Sequence, residues 1–325
     1  MLTLIVRRIG PALLTMALMV VLSFLAIYKI GNPIDILVDP AADQVTREAA
    51  MRAIGYDLPW HRQFLAFLWS LASGNLGDSF VHNMPAAGLI LQRFPATFEL
   101  ALTALLTAIL LGLPLGIWAG LHPESKSSKL VLGGSILGFS LPTFWLGLML
   151  ILCFAVWLGW LPASGRGETA ELLGIGWSWF TLDGWRHLLL PAIALGLYRV
   201  AMIIRLAHAG TREVARQDYI RNARAKGLSN PRVVSVHILK NIMIPIVTVL
   251  GMELGALISF ATVTETVFAW PGMGKLLIES IQKLDRPVVV AYLLLVVFIF
   301  IFINLLVDLV YSLLDPRVRV AGEAG

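Results

Sequence analysis

Long apolar runs, separated by short polar stretches, leave this chain few ways to fold. A helix needs about 20 consecutive apolar residues to cross a hydrocarbon core, because every backbone N–H and C=O there must find a partner within the protein. Six segments meet that requirement, at roughly residues 9–30, 97–120, 130–159, 188–208, 243–265 and 288–314. The expected fold class is therefore all-α: a polytopic membrane protein with six transmembrane helices. Composition agrees, since 58% hydrophobic residues, 14% charged residues and a mean hydropathy of +0.81 are too apolar for a soluble enzyme of 325 residues. The first run follows Arg7 and Arg8 and so imitates a secretory signal, but it is too long and lacks a small-residue cleavage context. It reads as a retained span.

A net charge of +5 could suggest a nucleic-acid partner. The basic residues instead lie beside the spans, where they act as topology signals and argue against nucleic acid. With the N-terminus cytoplasmic, the inner stretches are the denser in Lys and Arg, through Arg7, Arg8, Lys126, Lys129 and the cluster from Arg212 to Lys240. Both termini are then expected inside. The chain divides into an N-terminal span at 1–30, an outer segment at 31–96, a five-helix core at 97–314 and a cytoplasmic tail at 315–325. Within 31–96, DQVTREAAMRAIG reads as a short helix, and a second starts at Pro59. In the second, Trp60, Phe64, Phe67, Leu68 and Leu71 recur at helical spacing, which suits a helix at the membrane interface or one packed on the spans.

Catalytic motifs are missing. AWPGMGKLL approaches a phosphate loop, but Ala269 replaces its leading Gly and Leu276 its Ser or Thr. The six His residues form no H-E-x-x-H pair, no G-x-S-x-G elbow is present, and the lone Cys153 can build neither a disulfide framework nor a thiolate metal site. No cofactor or metal is expected on this chain. An intramembrane hydrolase would need paired aspartates, a Ser with a His, or ligating His residues, and none is placed to serve.

Between the fourth and fifth runs lies YIRNARAKGLSNP, with Arg221, Arg224 and Lys226 close together. Good helix formers extend from Thr211, Gly227 suits a C-terminal cap and Pro231 prevents continuation, so the pattern predicts a polar helix of about 16 residues at roughly 212–228. The segment TREVARQDYIRNARAKGLSNPRVVSVHILKNIMIPIVTVLG resembles the cytoplasmic loop of binding-protein-dependent ABC importer permeases, in particular their dipeptide, oligopeptide and nickel branch. The likeness rests on Asp218, Tyr219, Ile220, Arg221, Ala223, Arg224, Ala225, Lys226, Gly227, His237, Asn241 and Pro245. Arg221 stands where the general importer signature has Glu, and Asn222 where the branch commonly has Thr. The resemblance continues through LGDS, RFPATFELA, LGFSLPTFWLG, LPASGR, TETVFAWPGMG, DRPVV and NLLVDLVYSLLDPRVR, covering nearly the full length in order.

This resemblance implies a type I ABC importer permease fold in a bacterial inner membrane, with Tyr219, Ile220, Arg221, Ala223, Arg224, Ala225, Lys226 and Gly227 on a coupling helix that docks into an ATPase subunit. It implies as partners a second homologous permease, two ATPase subunits that bind ATP and Mg, an extracytoplasmic substrate-binding protein and membrane lipid. Small peptides are the expected cargo, with nickel, a metal chelate or glutathione as alternatives. A stand-alone channel is the rival from another class.

Arg199 and Glu253 fall near the middle of the fourth and fifth runs, where ionisable residues are costly and face a partner or a wet cavity. The resemblance implies an uncharged residue at 199 and Gln at 253, so both charges depart from it with opposite sign. They are expected to pair or to line the substrate path. Glu99, Arg205, Glu265 and Asp308 lie nearer span ends, where interfacial anchoring or helix-end hydrogen bonding is expected.

Overall fold

The computed structural model describes residues 2–29, 34, 38, 39, 41–53, 55 and 57–314, and the side chains of 2–9, 26–29, 53 and 308–314 lie outside that description. The tail at 315–325, with Asp315 and Arg317, and the side chain of Asp308 therefore lie outside the described residues. Helix α1 (Leu2–Lys29) leads into the outer segment, which holds α2 (Gln44–Ala53) and α3 (Trp60–Ala72). Asp43 caps α2 by accepting from the Thr46 amide at 3.1 Å, and its contacts with Thr46 hold its carboxyl below the usual carboxylate range. Phe64 and Phe67 of α3 pack on Phe24 of α1, with ring centroids 5.0 and 5.7 Å apart, while Trp60 and Trp69 remain exposed. This helix therefore rests on a span through one face and offers its tryptophans on another.

The second span, α4 (Ala86–Leu121), starts eleven residues before the expected position and carries Pro95 and Pro114 inside it. The expected third span at 130–159 is not one rod. It splits into α5 (Lys126–Ser140) and α6 (Thr143–Leu150), the latter continuing as π-helical turns over Ile151–Trp157, with a bend of 105° between the halves. The cause is Pro142, which excludes its predecessor from the helical region; Leu141 and Pro142 are both extended, at ψ 130° and 134°. A hairpin follows, in which β1 (Ala170–Leu172) pairs antiparallel with β2 (Ile175–Trp177).

Helix α7 (Leu182–Ala215) is capped by Thr181, whose hydroxyl accepts from the Gly184 amide at 2.9 Å. After the short α8 (Asp218–Ala225), the turn Asn230–Arg232 and π-helical turns Val233–Ile238 run into α9 (Leu239–Phe260). The fifth span thus ends at Phe260, short of the expected 265, and α10 (Thr262–Val267) and α11 (Met273–Gln282) precede the last span, α12 (Arg286–Leu314). By length and apolarity, four described helices can each cross a membrane, and the bent pair α5–α6 adds a fifth where its two halves form one broken span. Helix α1 extends for 28 residues, with Gly10–Leu25 as its described apolar stretch.

Helices α4 and α7 form the central pair. Gly112, Gly116 and Gly120, spaced four apart, put one face of α4 against the α7 backbone; a Cβ at Gly116 would lie 2.6 Å from the Ile204 carbonyl oxygen and 2.7 Å from the Ala207 Cβ. Such small-residue seams hold helices together where lipid supplies no hydrophobic drive. The largest buried cluster gathers Leu100, Ala104, Leu188, Leu195, Leu257, Trp270 and Val288 around this pair.

Candidate functional site

At the end of α7 the chain departs from its expected course. The polar helix expected at about 212–228 is two pieces: residues up to Ala215 continue α7, Gln217 turns extended at ψ 148°, and only Asp218–Ala225 form a separate rod of eight residues. The turn is driven by burial. It points Ile220 and Ala223, three residues apart on α8, into a cluster with Ala207, Val233, Ile238, Ile242 and Ile246. The opposite faces stay open, with Tyr219, Arg221, Arg224, Ala225, Lys226 and Gly227 exposed.

The C-terminal end of α8 is fixed. The Gly227 amide donates to the Arg224 carbonyl at 2.9 Å and the Leu228 amide to the Ala223 carbonyl at 3.3 Å, the paired bonds of a Schellman cap, with Gly227 at φ +78°. Arg221 pairs with Asp218 at 3.0 Å on the open surface, where such a contact adds little stability. A basic rod is thus clamped along its apolar side and bare along the other.

Arg199, near the middle of α7, and Glu253, about two-thirds of the way along α9, come together. Arg199 Nε donates to Glu253 Oε2 at 3.0 Å, and Nη1 to the Leu195 carbonyl at 3.3 Å. The guanidinium also lies 5.2 Å from the Tyr198 ring, which stacks on Phe139 of α5 at 4.6 Å; Arg205 sits over the other ring at 4.3 Å. Arg205 is therefore held by an aromatic face, a contact sequence spacing could not supply.

Of the two carboxylates expected to anchor at the interface or to hydrogen-bond a helix end, Glu265 does the latter at the start of α11, and Glu99 pairs with an arginine. Glu99 is fully buried and accepts from Arg166 Nε at 2.9 Å, from Arg166 Nη2 at 2.6 Å and from the Ser178 amide. Glu265, also fully buried, accepts from Thr97 Oγ1 at 2.6 Å and from the Lys275 amide at 2.8 Å. Thr97 accepts in turn from the Met273 amide, and Trp270 Nε1 donates to the Ala96 carbonyl, each at 2.8 Å. One turn of α4 thereby holds both the hairpin segment and the α10–α11 segment. Similarly, Asp285 accepts from the Ser79 hydroxyl and, at 3.1 Å, from the Phe80 amide, tying the LGDS run to the start of α12. The signal for these contacts lay in the quoted motifs, yet the partner of each carboxylate did not.

Among the described residues, no group of three or more His, Cys, Asp or Glu is gathered as a metal site. The arrangement suits mechanical and electrostatic work: a surface rod attached to a rigid helix pair, and a charged pair inside the spans.

Comparisons with known proteins point the same way. Residues 112–320 match the family described as binding-protein-dependent transport system inner membrane component. The di/tripeptide transport system permease protein DppB of Pseudomonas aeruginosa is 41% identical, over 98% of this chain and 99% of that protein. The dipeptide transport system permease protein DppB of Escherichia coli is 37% identical, with the same coverage. The glutathione transport system permease protein GsiC of Escherichia coli is 36% identical, again over 98% and 99%. Among solved structures, the inward-facing methionine ABC transporter MetNI matches with a TM-score of 0.55 and 16% identity, covering 70% of this chain and 96% of that one. That likeness establishes a shared fold.

Proposed function

The chain belongs to the family of binding-protein-dependent transport inner-membrane components, a multi-pass permease subunit of an ABC importer with no catalytic role of its own, and from that premise we propose that it forms half of a translocation path for small peptides. The di/tripeptide and dipeptide permeases, at 41% and 37% identity over nearly the full length, support the peptide cargo. The other half of the path is a second, homologous permease. Two cytoplasmic ATPase subunits bind ATP and Mg, and an external binding protein delivers the peptide onto the outer segments 31–96 and 160–187. Both termini of the chain lie on the cytoplasmic side.

The observation that carries the mechanism is α8. Its residues Tyr219, Arg221, Arg224, Ala225 and Lys226 are bare, while Ile220 and Ala223 lock it to the inner ends of α7 and α9. When ATP draws the ATPase subunits together, a rod seated in one of them moves with it and displaces the attached spans, as rigid-body switching requires. The glycine seam makes α4 follow α7, and the Glu99 and Glu265 contacts carry the displacement to the outer end. Alternating access then opens the path to one side at a time.

Uptake of a labelled dipeptide by cells carrying the complete importer tests this reading, with cysteine cross-linking from position 221 to the ATPase in parallel. Uptake that needs both ATP and the binding protein, together with a cross-link during turnover, is expected. Position 221 remote from the ATPase throughout the cycle would remove the coupling role. The 36% identity to a glutathione permease motivates a second cargo reading, so glutathione and a nickel chelate belong in the same assay.

A further inference from the structure

We propose that Arg199 and Glu253 form an intramembrane receptor for the two ends of a zwitterion, Arg199 taking a carboxylate and Glu253 an ammonium, in exchange for the contact the two side chains make with each other. The proposal rests on the peptide reading above and adds to it where, and by which charges, the cargo is held.

The pair is built incompletely. Its single hydrogen bond uses Arg199 Nε and Glu253 Oε2; besides the Tyr198 ring, the guanidinium meets the Leu195 carbonyl through Nη1. Among the described residues, nothing bonds Arg199 Nη2 or Glu253 Oε1. The side chains keep 12% and 20% of their exposure, so the pair is not sealed within the chain. A charged pair left partly open between membrane-crossing helices cannot face hydrocarbon at an acceptable cost, which favours a wet passage as its surroundings.

An isolated anion entering at the pair would meet Glu253, and an isolated cation would meet Arg199. A zwitterion meets both with the correct sign. Replacing one internal pair by two solute contacts leaves no charge unpaired in a poorly solvated place, where an unpaired charge is most costly. A peptide with free termini has this chemistry.

The test uses the complete importer in proteoliposomes, reading labelled Ala-Ala uptake and ATP hydrolysis stimulated by the binding protein. The double variant Arg199→Gln/Glu253→Gln is expected to assemble and to keep its ATPase within about twofold of the parent, while uptake falls at least about tenfold. Uptake near the parent level in the double variant would overturn the receptor, because a pair that only holds helices together is relieved when both charges leave. A second measurement does not depend on that variant. In a Cys153→Ser background, Ala256→Cys puts a thiol one turn from Glu253 with both charges intact. A water-soluble thiol reagent should modify it, and dipeptide supplied during turnover should slow the reaction several-fold. An unreactive or unprotected thiol overturns the proposal. A parent importer that takes up no dipeptide overturns the peptide reading itself and this inference with it, whereas parental uptake equalled by the double variant removes the receptor alone.

Discussion

Gly116 of α4 and Ile204 of α7 approach so closely that a Cβ on the glycine would stand 2.6 Å from the Ile204 carbonyl oxygen, with the Ala207 Cβ at 2.7 Å. Both obstacles belong to or adjoin the helix backbone, so no flexible side chain can yield. Gly116→Val should therefore push α4 and α7 apart and cost about 1–3 kcal/mol. Gly133, where a Cβ would have nothing within 4 Å, is the control. Thermal unfolding of the detergent-purified chain should fall by several degrees for Gly116→Val and stay unchanged for Gly133→Ala; equal melting temperatures would show that the seam is not tight.

The Glu99–Arg166 pair makes a sharper energetic case. Glu99 is fully buried, and Arg166 reaches it with two nitrogens from the segment leading to the hairpin. Removing one partner strands a buried charge, so Arg166→Gln should lose about 3–5 kcal/mol. Glu99→Gln/Arg166→Gln should recover part of that loss. A double-mutant cycle on unfolding in detergent measures the difference, and additive losses would mean the two groups act independently.

At the end of α8, Gly227 is held by its backbone alone. Its φ of +78° belongs to the left-handed region, yet no atom lies within 4 Å of a Cβ there. Gly227→Val should cost about 1–2 kcal/mol of cap stability from conformation rather than collision. Gly227→Asn should be milder, since Asn tolerates that region. The expected order of ATP-driven uptake is parent, then Asn, then Val. Val and Asn behaving alike would argue against the cap as the cause.

How much of this was legible beforehand depends on the kind of contact. The apolar runs announced the spans because length and hydropathy are local properties, and the exposed rod at Asp218–Ala225 fell within the stretch that the basic cluster marked. Pro142 was visible too, but its 105° consequence was not read from it. The break at Arg216 and Gln217 carries no Gly or Pro; the turn forms because Ile220 and Ala223 find a buried cluster supplied by α7 and the fifth span. Partnerships were the least legible. Glu99 meets Arg166 across 67 residues and Glu265 meets Thr97 across 168, distances at which sequence gives residue types without their pairing.

The last prediction separates the rod's surface from its support. Ala225 is exposed on α8, beside Arg224 and Lys226 and away from the buried Ile220 and Ala223. A bulky side chain there touches nothing within the described chain's core, so Ala225→Trp should insert and unfold as the parent does. In the complete importer the same indole would occupy the space between the rod and the ATPase. Uptake should then fall about tenfold, the equivalent of about 1.4 kcal/mol, with ATP hydrolysis no longer tied to it. Ile220→Asn is the complementary change: it buries an amide in an apolar cluster and should lower thermal stability before any question of coupling arises. If Ala225→Trp transported at the parent rate with hydrolysis still coupled, the bare face of α8 would not be the surface on which the motor subunit acts.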